Sequence, residues 1–313
     1  LTSIVDAPMV DVRQLTKRFG SHQVLKGIDL SVPTGTLLGV LGPNGAGKTT
    51  VINCLTTLLQ PDGGYATIAG YDVVKQPAAV RALIGLTGQF AAVDEELTGR
   101  ENLILFGRLL RLSRREAQRR AASLLDQFDL AAAADRPVKT FSGGMRRRLD
   151  LAASIVAEPL VLFLDEPTTG LDPRSRQQLW AVVRDLKQRG ITILLTTQYL
   201  EEADALADRI VVIDQGQVIA EGTADDLKDR VGGAFCEIRL VNLQDAAKVK
   251  QVLVDVGELS GDGPYAIAAP QGVATLADVI QRLAAAGIAV ADISLRRPSL
   301  DDVFFALTRE GEG

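Results

Sequence analysis

Through the first two thirds of the chain, short apolar runs alternate with stretches in which hydrophobic residues recur every three or four positions. The runs at 36–41 (TLLGVL), 160–164 (LVLFL), 192–197 (TILLTT) and 209–214 (RIVVID) predict β-strands. Polar residues hardly interrupt them, so both faces are expected to be buried, as in a parallel sheet covered by helices on either side. Between Asp94 and Glu158 the alternation stops. There RENLILFGRLLRL and RREAQRRAASLLDQF show helical spacing only, which predicts an inserted helical subdomain at about 94–158. After the turn-rich DQGQVIAEGT and a short helix ending near Arg230, the dipeptide Gly232-Gly233 marks a boundary. Beyond it come a strand (AFCEIRLV), a helix (DAAKVKQVLVDV), two strands split by SGDGP, a helix (VATLADVIQRLAAA), a strand (VADISLR) and a closing helix over 300–307. That order predicts a small α+β domain of the ferredoxin-like kind. The expected domains are therefore 8–231 and 234–313.

Composition sharpens the picture in three places. A length of 313 residues with 47% hydrophobic content accommodates one large and one small core. A net charge of −5 gives no global attraction to nucleic acid, and no nucleic-acid partner is expected. Arg108, Arg111, Arg114, Arg115, Arg119 and Arg120 do cluster in one helical stretch, read as a solvated helix face. The two cysteines, Cys54 and Cys236, lie far apart beside apolar segments, which predicts buried thiols in a reducing, cytoplasmic setting. No uncharged apolar run approaches the roughly 18 residues of a membrane span, so a membrane role would require a partner.

Chemistry concentrates in three motifs. The stretch GPNGAGKTT, residues 42–50, follows a predicted strand and opens a helix, the setting in which G-x-x-x-x-G-K-T forms a phosphate loop. Backbone N–H groups from Asn44 to Lys48 can point at phosphate oxygens, and the glycines let the backbone come close. Lys48 supplies positive charge, and the Thr49 hydroxyl is a candidate Mg²⁺ ligand. The strand LVLFL ends in Asp165 and Glu166. Adjacent strand residues point opposite ways, so Asp165 is expected to hold Mg²⁺ and Glu166 to activate water. Third, Ser142, Gly143 and Gly144 precede a helix, which suits either an ordinary cap or a second anion site.

In this order, the motifs resemble the ATP-binding subunits of ABC transporters over about Val10 to Thr223. GPNGAGKTT resembles their Walker A loop, LVLFLDEP their Walker B strand, FSGGM their signature motif and TGLDP, with Asp172, their D-loop. The resemblance implies a P-loop α/β cassette with an antiparallel β subdomain. It also implies a head-to-tail homodimer in which ATP lies between one subunit's Gly42, Pro43, Asn44, Gly45, Ala46, Gly47, Lys48, Thr49 and Thr50 and the other's Ser142, Gly143 and Gly144. It further casts Gln89 as a Q-loop residue touching Mg²⁺ and Phe19 as the aromatic that stacks on adenine.

In that superfamily the strand after the D-loop helix usually ends in a histidine directed at the γ-phosphate. Here the position holds Gln198, and the chain's one histidine is His22. A glutamine amide can both donate to a phosphate oxygen and accept from water. The segments TTQYLEEADALADRI, FSGGMRRRLDLAAS and ISLRRPSLDDVFFALT resemble the daunorubicin-resistance branch of drug-export ATPases, in which this glutamine is customary. The resemblance implies an Mg²⁺-ATPase, peripheral on the inner face of the membrane, powering a separate permease that exports a hydrophobic drug or lipid. The alternatives are a non-transport ABC ATPase and a weakly hydrolysing nucleotide sensor.

Overall fold

The structure, a computed structural model, describes residues 7–88, 92–230, 233–261 and 263–309. It divides into two compact units, Leu1–Thr223 and Ala224–Gly313.

The first unit opens with strands β1 (Val10–Phe19) and β2 (His22–Val32), then β3 (Leu37–Leu41) and helix α1 (Lys48–Leu55). Next come β4 (Gly63–Ile68), β5 (Tyr71–Asp72), α2 (Pro77–Leu83) and β6 (Ile84–Thr87). The helical insert follows as α3 (Gly99–Leu109), α4 (Arg114–Gln127) and α5 (Gly143–Ser154). The chain then alternates through β7 (Val161–Asp165), α6 (Pro173–Gln188), β8 (Thr192–Thr197), α7 (Leu200–Leu206), β9 (Arg209–Asp214) and β10 (Gln217–Gly222). The four apolar runs expected as strands are β3, β7, β8 and β9.

Two sheets result. One is antiparallel, ordered β2-β1-β4-β5; the other runs β10-β9-β3-β8-β7-β6 and is parallel except for β10. Alternate residues of the parallel strands enter two different cores, which is why those strands read as unbroken apolar runs. Val40, Phe163 and Leu194 join α1 and the antiparallel sheet in one core; Leu164, Ile193 and Leu195 join the helical insert in the other. Phe163 is fully buried, worth up to about 3 kcal/mol relative to exposure.

Local signals set the helices of the insert. Thr98 caps α3 and Ser113 caps α4; Glu101 and Glu116 answer three residues later, and both pairs form complete capping boxes. The arginine run behaves unevenly. Arg108, Arg111, Arg114, Arg115 and Arg119 are exposed. Arg120, however, turns inward to the carbonyls of Ile155 and Val156 and pairs with Glu158 at 2.8 Å. Among the described residues no helix is long and apolar enough to cross a membrane.

The second unit runs α8 (Ala224–Arg230), β11 (Ala234–Leu240), α9 (Ala246–Val252), β12 (Tyr265–Ala269), α10 (Val273–Ala285), β13 (Val290–Arg296) and α11 (Leu300–Arg309). Its first residue lies upstream of the diglycine because α8 packs against α11. Among the described residues the sheet has three strands, β12-β11-β13, rather than the four of the expected ferredoxin-like order. The remaining strand is reduced to one bridge, Ser260 to Ala266, beside Gly261 and Gly263, whose positive φ values turn the chain away. Asp302 caps the approach to α11. Burial opposes its charge, but Arg296, with contacts at 2.5 and 3.0 Å, and the Ser299 donors hold its carboxyl below the usual range. Cys54 and Cys236 are both buried free thiols, and burial pushes Cys54 up to about 11.

Candidate functional site

The loop of residues 42–47 joins the C-terminal end of β3 to α1, and backbone geometry dictates its glycines. A Cβ at Gly42 would lie 2.2 Å from the Ile213 carbonyl oxygen. Gly47, which caps α1 at φ 107, would put one 2.8 Å from Leu25 Cδ2. Lys48 is the first residue of α1 and is 4% exposed. It folds back along the loop, its Nζ donating to the carbonyls of Gly42 at 2.8 Å and Pro43 at 3.0 Å.

Sheet order brings the acidic pair to this loop. Strand β8 lies between β3 and β7, with Thr197 paired to Leu41 on one side and Thr196 to Asp165 on the other. Asp165 Oδ1 accepts from Thr196 Oγ1 at 2.5 Å and from Thr49 Oγ1 at 3.2 Å. Glu166 points the other way. Its Oε1 lies 3.3 Å from Lys48 Nζ, with both side chains under a tenth exposed, and its Oε2 accepts from Thr169 Oγ1 at 3.4 Å. The Glu166 backbone sits at φ 47, in the left-handed region, at a cost of order 1–3 kcal/mol for a non-glycine residue. Its N–H is held by the Thr196 carbonyl at 3.0 Å. Lys48, Asp165, Glu166 and Thr196, all buried, thus form one cluster with the half-buried Thr49 at the C-terminal edge of the parallel sheet, where open α/β folds place their ligands.

A second group gathers where α5 and α6 begin. Ser142 caps α5 by accepting from the Met145 N–H at 3.2 Å, and Ser142 and Gly143 are exposed. Gly144 faces α6 so closely that a Cβ there would lie 2.5 Å from Ser175 Oγ. Asp172 caps α6, accepting from the Ser175 N–H at 2.9 Å and Ser175 Oγ at 2.7 Å, which holds its carboxyl below the ordinary range. Gln198 is half-buried in the turn between β8 and α7. Phe19 ends β1 and is 47% exposed, with the Lys17 ammonium 5.7 Å from its ring centre. Gln89 lies outside the described residues.

Comparison with known proteins decides what this arrangement is. The ABC transporter family matches residues 25–169. A daunorubicin resistance ATP-binding protein of Streptomyces coeruleorubidus is 55% identical over 97% of this chain and 96% of its own. This chain belongs to the ABC transporter ATP-binding family. Solved ABC cassettes agree. The ATP-binding subunit of an ABC transporter superimposes with a TM-score of 0.64 at 31% identity, covering 71% of this chain and 92% of that one. A dimeric cassette in a post-hydrolysis state with ADP and phosphate gives 0.63 at 25% identity, covering 69% and 98%.

Within this ABC cassette, some residues at the site carried no signal in sequence. Thr196 is anonymous in TILLTT, and only strand order reveals it as the donor to Asp165. Arg147 is the middle of three arginines and alone of the three is buried. Glu202 reads as one of two acidic residues opening a surface helix. In fact it is fully buried and accepts from Trp180 Nε1 at 3.0 Å. Burial raises its carboxyl, against the Trp180 hydrogen bond, which lowers it. The signal available for Glu202 was spacing: with Ala203 and Leu206 it shares the buried side of α7.

Proposed function

We propose that this chain is the ATP-hydrolysing subunit of an ABC exporter, driving a separate permease that carries a hydrophobic drug or lipid out of the cell. The observation that carries this reading is the cluster of Lys48, Thr49, Asp165 and Glu166, with Glu166 Oε1 3.3 Å from Lys48 Nζ. The resistance role of the Streptomyces relative supports a drug-like cargo. Among the described residues no helix is long and apolar enough to cross a membrane; in this reading the chain works at the inner membrane face through the permease.

The residues present fit Mg²⁺. Thr49 and Asp165 offer hard oxygen donors side by side, and Mg²⁺ takes few protein ligands because phosphate oxygens and water complete its shell. Among the described residues no three His, Cys, Asp or Glu side chains converge into an all-protein metal cage, in keeping with that mode. When bound, the ion offsets charge on the β- and γ-phosphates.

The chain's own groups then divide the chemistry. The N–H groups of residues 44–48 and the start of α1 cradle the phosphates, and Lys48 neutralises charge there. Phe19 stacks on adenine. Glu166 accepts the proton of the attacking water as its oxygen bonds to the γ-phosphorus and the bond to the β–γ bridging oxygen breaks. Gln198 donates to a γ-phosphate oxygen and orients that water. The second copy of the chain completes each site with Ser142, Gly143 and Gly144, and Asp172 lines the same junction. Gln89 relays to the permease and reaches Mg²⁺. Loss of turnover in Lys48→Ala, with the fold intact by circular dichroism, tests this assignment; unchanged turnover would overturn it.

A further inference from the structure

The guanidinium of Arg147, on α5, is 9% exposed and spends its donors on backbone carbonyls. Nε donates to Pro167 O at 2.6 Å, and Nη2 to Asp165 O and Glu166 O, each at 3.3 Å. Nη1 donates to Gly88 O at 2.6 Å. Asp150, one turn further along α5, lies 3.5 Å from Nη1 and accepts from the Ala92 N–H at 2.7 Å. One buried pair on one helix therefore grips three successive carbonyls around Glu166, together with Gly88 and Ala92.

Those three carbonyls belong to the turn in which Glu166 adopts its left-handed backbone. Such a conformation persists only where the surroundings hold it, and it sets the direction in which the Glu166 side chain leaves the chain. A planar, five-donor guanidinium can address several carbonyls at once; an ammonium is a point charge and cannot reproduce the fork. The same helix begins at Ser142, Gly143 and Gly144, so the turn carrying Glu166 is mechanically tied to the end of α5 that faces outward.

We propose that Arg147 is a positioning residue: it fixes the left-handed turn at Glu166 and links that turn to α5, so that the carboxylate is aimed for catalysis only when α5 is in place. The inference rests on the assignment of Glu166 as the base. The test is a double-mutant cycle of Arg147→Lys with Glu166→Gln, using ATP dissociation constants, thermal midpoints and single-turnover hydrolysis. In the Glu166 background, Arg147→Lys is expected to lower turnover at least tenfold while ATP affinity changes less than threefold. In the Glu166→Gln background, the same substitution is expected to change the residual rate less than twofold. Should Arg147→Lys not fold, Arg147→Gln, with a neutral amide in the same place, carries the same cycle. Turnover within twofold of wild type, an equal loss in both backgrounds, or a loss of affinity matching the loss of rate would each overturn the positioning role. If Glu166→Gln alone is as active as wild type, the assignment of the base fails and takes this inference with it.

Discussion

Replacing Thr196 with valine removes one hydroxyl from the site while preserving shape. Thr196 is fully buried, and its Oγ1 donates to Asp165 Oδ1 at 2.5 Å. Without it, among the described residues Thr49 at 3.2 Å is the only hydroxyl donor to that oxygen, and Thr49 is itself assigned to Mg²⁺. A hydrogen bond to a charged group contributes about 1.5–3 kcal/mol net. Because Asp165 is only 3% exposed, water cannot fully replace the lost donor. The expected destabilisation is about 2 kcal/mol. If the same misplacement is felt in the transition state, kcat/KM falls by about 10- to 100-fold, at 1.36 kcal/mol per factor of ten. Urea unfolding followed by the fluorescence of Trp180, the chain's one tryptophan, reports the first unit directly, and ATP turnover against Mg²⁺ concentration reports the site. In an Asp165→Asn background the penalty should shrink, because the partner's charge is gone. A destabilisation below about 0.5 kcal/mol with normal turnover would refute the view that Thr196 holds Asp165.

Other outcomes follow from equally local features. Gly42→Ala forces a methyl against the Ile213 carbonyl, so ATP binding measured by a fluorescent analogue should be lost; retained affinity would mean that the loop has room the geometry denies. Glu202→Gln keeps an acceptor for Trp180 while removing a carboxyl whose value burial has raised. A raised carboxyl favours the protonated folded state, so wild type loses stability as pH climbs above the unfolded value of about 4.3. The advantage of Glu202→Gln in urea midpoint should therefore be smallest near pH 4.5 and grow towards pH 8; an advantage that shrinks with rising pH would contradict this. Asp302→Asn weakens the charged contacts to Arg296 at the start of α11 and should lower the thermal midpoint of the second unit without changing ATP affinity, and a change in affinity would be the contrary result.

Chain-local features were legible in the sequence. The phosphate loop could be read because its glycines answer backbone needs within a few residues, and the buried strands because both their faces are apolar. Asp165 and Glu166 could be read because they end such a strand. What escaped depends on strand order or on tertiary depth. Thr196 and Asp165 are 31 positions apart and meet only because β8 lies between β3 and β7. Arg147 looks like its neighbours Arg146 and Arg148, and only the packing of α5 selects it for burial. Arg120 departed from the expected solvated face for the same reason, finding carbonyls at the end of α5. The missing strand of the second unit is a case where a plausible alternation lost to two glycines in the following turn.

The most direct measurement is Mg²⁺-dependent ATP turnover of the purified chain, alone and with its permease in lipid, beside Glu166→Gln and Gln198→Ala. Wild type is expected to turn over, Glu166→Gln to bind ATP while keeping only a small residual single-turnover rate, and Gln198→Ala to turn over more weakly than wild type. A wild-type protein that binds ATP yet stays silent even with its permease would contradict the account and leave a nucleotide sensor in place of a motor.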